Sequence, residues 1–205
     1  MSDILRTIGE ELSDLLSFFV TVALLQNVVL TTGFGSSVVL HIVRKPKNIW
    51  LFSAILAFFT VTTVVIAYPI DLYFGTAVDN FWRPLVLIAI TVALYILANL
   101  VLKKWAPTFY HRVSRMLPMA AFNNLVTGIA LVCNLQFSSS LGGNIGLAIG
   151  SCLGFALLTW LTAEGIERMD NPDMPEAFRG MPSTLLYLGL LGLALMGFSS
   201  NFSLI

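Results

Sequence analysis

The chain has 205 residues, is 57% hydrophobic and only 11% charged, and balances 11 Lys and Arg against 11 Asp and Glu for a formal net charge of zero. With a mean hydropathy of +0.87, this composition excludes a water-soluble globular domain and describes an integral membrane protein. It also excludes the basic surface of a nucleic-acid binder.

At the N-terminus, Ile4, Leu5, Ile8, Leu12, Leu15 and Leu16 recur at the spacing of one helix face, with Asp3, Glu10, Glu11 and Asp14 around them. This segment reads as an interfacial lead-in. Lacking the cationic start and small-residue cleavage site of a secretory signal, it is expected to stay in the mature protein. The first span runs from Leu12 to Leu30. Continued to Val43 as one helix, it would measure about 48 Å against a hydrocarbon core of about 30 Å, so it must tilt strongly or break. Gly33-Phe34-Gly35 is the expected breaking point.

Five further stretches are close to the roughly 20 apolar residues that a span needs: Ile49 to Ile70, Trp82 to Leu102, Leu117 to Phe137, Leu141 to Ala163 and Met181 to Phe198. Pro69, Pro107, Pro172, Pro175 and Pro182 read as helix stops. Gly146-x3-Gly150-x3-Gly154 marks a close helix contact, within the chain or with a partner. Trp82, Trp105 and Trp160 suit the membrane interfaces. The links are too short for a soluble domain, so any water-exposed catalytic module must come from a partner.

Two spans carry a polar interruption, LLQNVVLTTGFGSS from Leu24 to Ser37 and AAFNNLVTG from Ala120 to Gly128. Asn27 and Asn124 lie 97 residues apart, at corresponding places in two halves of about 1–105 and 106–205. Three spans per half is an odd number, so the second half enters the membrane from the opposite side. The expected fold is a single all-α integral membrane domain of six transmembrane helices, built as two inverted three-helix repeats with broken first and fourth helices. Such breaks place ligand sites near the midplane, where freed backbone groups need partners.

Gln26, Asn27, Ser37, Asn123 and Asn124 form the candidate binding set, as oxygen acceptors for an ion or small solute. The same amides also read as bridges between helices, worth about 1 kcal/mol each. Thr31-Thr32 and Ser36-Ser37 can satisfy freed carbonyls in the same way. No ionisable residue falls deep in a span, which counts against a proton relay. Cys133 and Cys152 sit mid-span at a spacing that matches no metal motif, and read as small apolar packing residues. His41 beside Arg44, and His111 in the third loop, read as solvated at the headgroups. Glu164 and Glu167 mark the membrane boundary at the end of span five.

Orientation follows from where Lys and Arg fall. Alternate loops hold Arg44, Lys45 and Lys47, then Lys103, Lys104, Arg112 and Arg115, then Arg168 and Arg179, whereas only Arg6 and Arg83 fall on the other side. The basic loops are expected in the cytoplasm of a bacterial-type inner membrane, with both termini on the outer face.

Several of these residues carry a resemblance. DMPEAFRG at Asp173 to Gly180 and LGLALMGF at Leu191 to Phe198 are similar to the DVPAPFRG and LAFMGF ending of the Rnf/Nqr membrane subunit family. The likeness is to the A-type member of Rnf complexes and the E-type member of the sodium-translocating NADH:quinone reductase. Asn27, Val29, Leu30 and Gly35 match in the first break, Lys104 and Pro107 before the fourth span, Leu117, Pro118, Asn123 and Gly128 in the second break, and Glu167 and Arg168 after span five. The resemblance implies a subunit that pairs with a homologous six-helix subunit of opposite orientation inside a redox-driven ion pump. The two hold a [2Fe-2S] cluster between them on two cysteines each.

The family's cysteine positions fall at Ser37 and Asn124 here. A hydroxyl and an amide are poor replacements for thiolates on iron, so no metal and no cofactor of its own is expected. The functional expectation is a structural or ion-path membrane subunit of an Rnf/Nqr-like electron-transport, ion-translocating oxidoreductase complex, with membrane lipid and redox subunits as partners. The alternative is a stand-alone or homodimeric transporter of a small solute or ion on the same fold. No Walker loop, dinucleotide fingerprint or hydrolase elbow is present, so an autonomous enzyme is not expected.

Overall fold

The computed structural model describes residues 35–42, 48–74, 82–136, 141–169, 175 and 178–199, together with positions 9, 12, 13, 15, 16, 19 and 33. Among them there is no strand. The elements are α1 (Ser36–Ile42), α2 (Ile49–Phe74), α3 (Arg83–Trp105), α4 (Pro107–Val113), α5 (Leu117–Ala121), α6 (Asn124–Gln136), α7 (Leu141–Met169) and α8 (Met181–Ser199). Helix is the open-chain way to satisfy every backbone polar group in hydrocarbon, which is why long apolar runs adopt it.

Three helices, at 49–70, 83–105 and 141–169, are long and apolar enough to cross a membrane. A fourth crossing arises if Pro107–Val113 and Leu117–Cys133, bent by 65° at their junction, count as one broken span. The expected six crossings are therefore seen as three or four among the described residues. Most of the first lies outside them, and the apolar stretch Met181–Ala194 of α8 is short.

The stop expected at Pro69 and the loop expected after α3 are corrected, while α3 does end just before Pro107, as expected. Pro69 lies inside α2, which runs on to Phe74. A proline removes only its own N–H and one ladder bond, so it can sit within a helix whose remaining bonds hold. The third loop is largely helical: Pro107 and Pro118 each stand at the first turn of a helix, where a missing N–H costs nothing.

The core is the seam between α2 and α7, with α6 packed beside both. Phe52, Leu56 and Phe59 of α2 meet this core together with Phe155 and Leu158 of α7, all nearly fully buried. Several buried hydroxyls satisfy themselves within their own helices, although the Ser53 and Thr63 hydroxyls of α2 are buried with no partner. Thr60 donates to the Leu56 carbonyl at 2.8 Å, and Thr159 and Thr162 donate to Phe155 and Leu158 at 2.6 and 2.7 Å. Such back-bonding lets hydroxyl residues enter an apolar interior without an orphaned donor.

The peripheral helices are α3, lying on α2 and α6, and α8, lying on α7. Leu85, Ile88, Leu97 and Leu100 of α3 and Leu185, Leu190 and Leu193 of α8 are exposed, as lipid-facing side chains should be. Trp82 and Trp105 bracket α3 and are also exposed, the placement of interfacial anchors. Gly146, the first of the glycine run in α7, makes a close contact within the chain, since a Cβ there would meet the main-chain carbonyl of Leu15. At the other end of α7, Gly165 makes room for the Tyr187 ring of α8.

Candidate functional site

The second expected break is seen between α5 and α6, and of the first only Gly33 and the residues from Gly35 onward are described. Gly33 and Gly35 have φ of +74° and +81°, and α1 begins immediately after them. The Ser36 hydroxyl donates to the Gly33 carbonyl at 2.9 Å, and the Val39 N–H donates to the Gly35 carbonyl at 3.1 Å. Left-handed glycines thus lead directly into α1, with the Gly33 and Gly35 carbonyls satisfied locally.

In the second half the chain turns at Phe122 and Asn123 between α5 and α6. Asn123 Oδ1 accepts the Leu125 N–H at 3.1 Å and its main-chain carbonyl accepts the Val126 N–H at 3.0 Å. This is a helix N-cap, with the side chain satisfying a donor that the new helix leaves free. Cap and carbonyl together start α6 cleanly after the bend.

The two breaks meet. A Cβ on Gly35 would lie 3.3 Å from Asn123 Oδ1 and 3.3 Å from the Phe155 ring. Phe155 in turn packs on Phe52 with ring centroids 5.9 Å apart. Halves of the chain that are distant in sequence are therefore joined at their breaks, on a floor supplied by α2 and α7.

Of the five candidate residues, Gln26 and Asn27 lie outside the described residues. Asn123 is buried, while Ser37 and Asn124 are exposed. Asn123 uses its oxygen for the cap, and its Nδ2 is buried with no hydrogen-bond partner. The group left unpaired on Asn123 is thus a donor, whereas the sequence offered its oxygen as an acceptor. Burial without a partner is costly for an amide, so this N–H marks the polar focus of the paired breaks.

Cys133 of α6 and Cys152 of α7 are free and buried. The Cys133 thiol donates to the Asn144 carbonyl at 3.7 Å, and Cys152 lies against Thr60 of α2. Both occupy helix contacts. Among the described residues no three His, Cys, Asp or Glu side chains are grouped to hold a metal. Ser37 and Asn124, where the resemblance would put cluster ligands, offer a hydroxyl and an amide, which do not fit a [2Fe-2S] cluster.

His41 and His111, unconnected in sequence, line one cavity of about 390 Å³ between the end of α1, the start of α2 and the α4–α5 bend. No sequence spacing could have found this pair. Glu164, at the cytoplasm-side end expected for α7, pairs with Arg168 at 3.1 Å on an exposed face, in keeping with a boundary residue.

A family model described as "Rnf-Nqr subunit, membrane protein" matches residues 15–201. The chain is 29% identical over 189 residues to the A-type subunit of the ion-translocating oxidoreductase complex of Pasteurella multocida, covering 92% of this chain and 98% of that relative. To the same-named subunit of Alcanivorax borkumensis it is 28% identical over 181 residues, covering 88% and 93%. It is also 33% identical over 120 residues to the A-type subunit of the Na(+)-translocating ferredoxin:NAD(+) oxidoreductase complex of Acetobacterium woodii, covering 58% of this chain and 62% of that one.

Proposed function

Because the chain belongs to the Rnf-Nqr family of membrane subunits, we propose that it is a membrane subunit of an Rnf-like, ion-translocating oxidoreductase complex. The observation that carries this reading is likeness along nearly the whole chain to relatives named as subunits of such complexes. The approach of Gly35, just before α1, to Asn123, just before α6, adds to it, since paired breaks would supply the polar ground that an ion path needs in hydrocarbon. Electron carriers and the catalytic surface are left to other subunits, because the links of this chain hold no soluble domain.

In this reading the full fold is the inverted six-span repeat, with halves of about 1–105 and 106–205. Support comes from matching neighbours: α3 lies on α2 as α8 lies on α7, and α2 and α7 form the central seam. The subunit sits in a bacterial inner membrane with both termini on the outer face, beside a homologous subunit of opposite orientation. Cysteine introduced by Lys104→Cys is expected to react only with reagent supplied from the cytoplasm; reaction from outside would invert this topology.

The subunit contributes scaffold and ion path and no cluster ligand, because neither Ser37 nor Asn124 brings a thiolate. Asn123, with its buried free N–H, is the best-placed member of the candidate set, and Gln26, Asn27, Ser37 and Asn124 complete it on this reading. In inside-out vesicles, deletion of the chain is expected to abolish ion uptake driven by an electron donor, and re-expression to restore it. Loss of solute uptake with electron-driven ion uptake intact would instead support a transporter.

A further inference from the structure

We infer that the basic cavity at the α1–α2–α4 junction holds the phosphate headgroup of an anionic phospholipid. Its polar lining residues are His41, Asn48, His111, Arg112 and Arg115, and among the described residues no carboxylate lines it. Among the described residues neither arginine has an ion-pair partner. Two arginines lining a space of about 390 Å³ suit one chemistry best, a phosphate oxyanion that accepts several charge-assisted hydrogen bonds.

The floor of the same cavity is apolar, formed by Ile42, Phe52, Met116 and Met119. Leu51 and Leu117, next in sequence to Phe52 and Met116, line a second, almost wholly apolar groove of about 400 Å³ along α2 and α3. Neighbouring helix residues point about 100° apart, so cavity and groove lie on adjoining faces of the same two elements. A charged recess beside an acyl-sized groove fits a phospholipid, whereas a free phosphate would use only the first.

Depth agrees. Trp105 is 82% exposed and Phe109 44% exposed at the α3–α4 junction, next to Lys103 and Lys104. Exposed aromatic rings beside lysines mark the headgroup level. Basic pockets between helices on the cytoplasmic side are where acidic lipid headgroups lodge.

The test is made on the full chain, purified with whatever accompanies it and washed in mild detergent, with retained phospholipid identified by mass spectrometry. Wild type is expected to retain phosphatidylglycerol or cardiolipin. The pair Arg112→Gln and Arg115→Gln should weaken that retention by about thirtyfold, from about fivefold for each cation near an acidic headgroup. A control pair on the same side, Lys103→Gln and Lys104→Gln, should retain the lipid. Equal retention by the arginine variant, or equal loss by the lysine control, would overturn the assignment.

A second arm needs only wild type. Added phosphatidylglycerol should raise its melting temperature, while phosphatidylcholine and inorganic phosphate should not. Stabilisation by inorganic phosphate would make this a free-anion site and overturn the lipid reading. No shift with any of the three would leave the cavity to an acidic segment of a partner and overturn it as well.

Discussion

Replacing Gly146 by leucine is expected to prevent stable folding or to lower stability by roughly 3 kcal/mol or more, at or beyond the upper end of overpacking costs. The reason is the identity of the neighbour. A Cβ at this position meets the Leu15 main-chain carbonyl, with the Leu15 Cα at 3.0 Å and its carbonyl carbon at 3.1 Å. A side chain in the way can rotate, but backbone held in a helix cannot. Gly189→Leu on α8 is the control, because nothing lies within 4 Å of a Cβ there and the position is exposed. Its effect is expected within about 0.5 kcal/mol. Thermal melting of both variants in one detergent measures the difference, and equal melting would refute the close α7 contact.

The second large effect is expected at the join of the two breaks. Gly33→Ala meets only the backbone penalty of a positive φ, about 1 kcal/mol, since no atom lies within 4 Å of its Cβ. Gly35→Ala meets the same penalty and three contacts at 3.3 Å, to Asn123 Oδ1 and to two atoms of the Phe155 ring. A total of roughly 2–3 kcal/mol is expected, again by thermal melting. The difference between the two glycines reads the packing of first break on second, with backbone strain cancelled. Equal destabilisation would mean that the breaks do not press on each other.

Much of this was legible in the sequence because a bilayer constrains a chain so tightly. Span length is dictated by hydrocarbon thickness; hence the starts of α2, α7 and α8 coincide with the apolar runs at Ile49, Leu141 and Met181. Gly33 and Gly35 were readable for a second reason, that only glycine enters the left-handed region without penalty. Lys103, Lys104, Arg112 and Arg115 misled by suggesting a loop, although charge reports exposure and not the absence of helix. The helical bend through Pro107 and Pro118 satisfies its backbone internally while leaving those cations on the outside.

The site was less legible, because contact across the molecule has no periodicity in sequence. Asn123 could be recognised as polar within an apolar run, but not that its oxygen caps α6 and leaves its N–H unpaired. His41 and His111 could each be placed at the headgroups, but nothing in the sequence paired them, since the cavity that unites them exists only once α1 and α4 are packed.

On the proposed function, the subunit works within a redox complex while supplying no thiolate to a cluster. Gentle purification from native membranes, with iron, acid-labile sulfide and flavin measured before and after the other subunits are stripped away, tests it most directly. Redox subunits carrying iron and flavin should accompany the chain, and the stripped chain should hold neither iron nor sulfide. A chain that purifies without any redox partner, or that keeps iron and sulfide when alone, would contradict it.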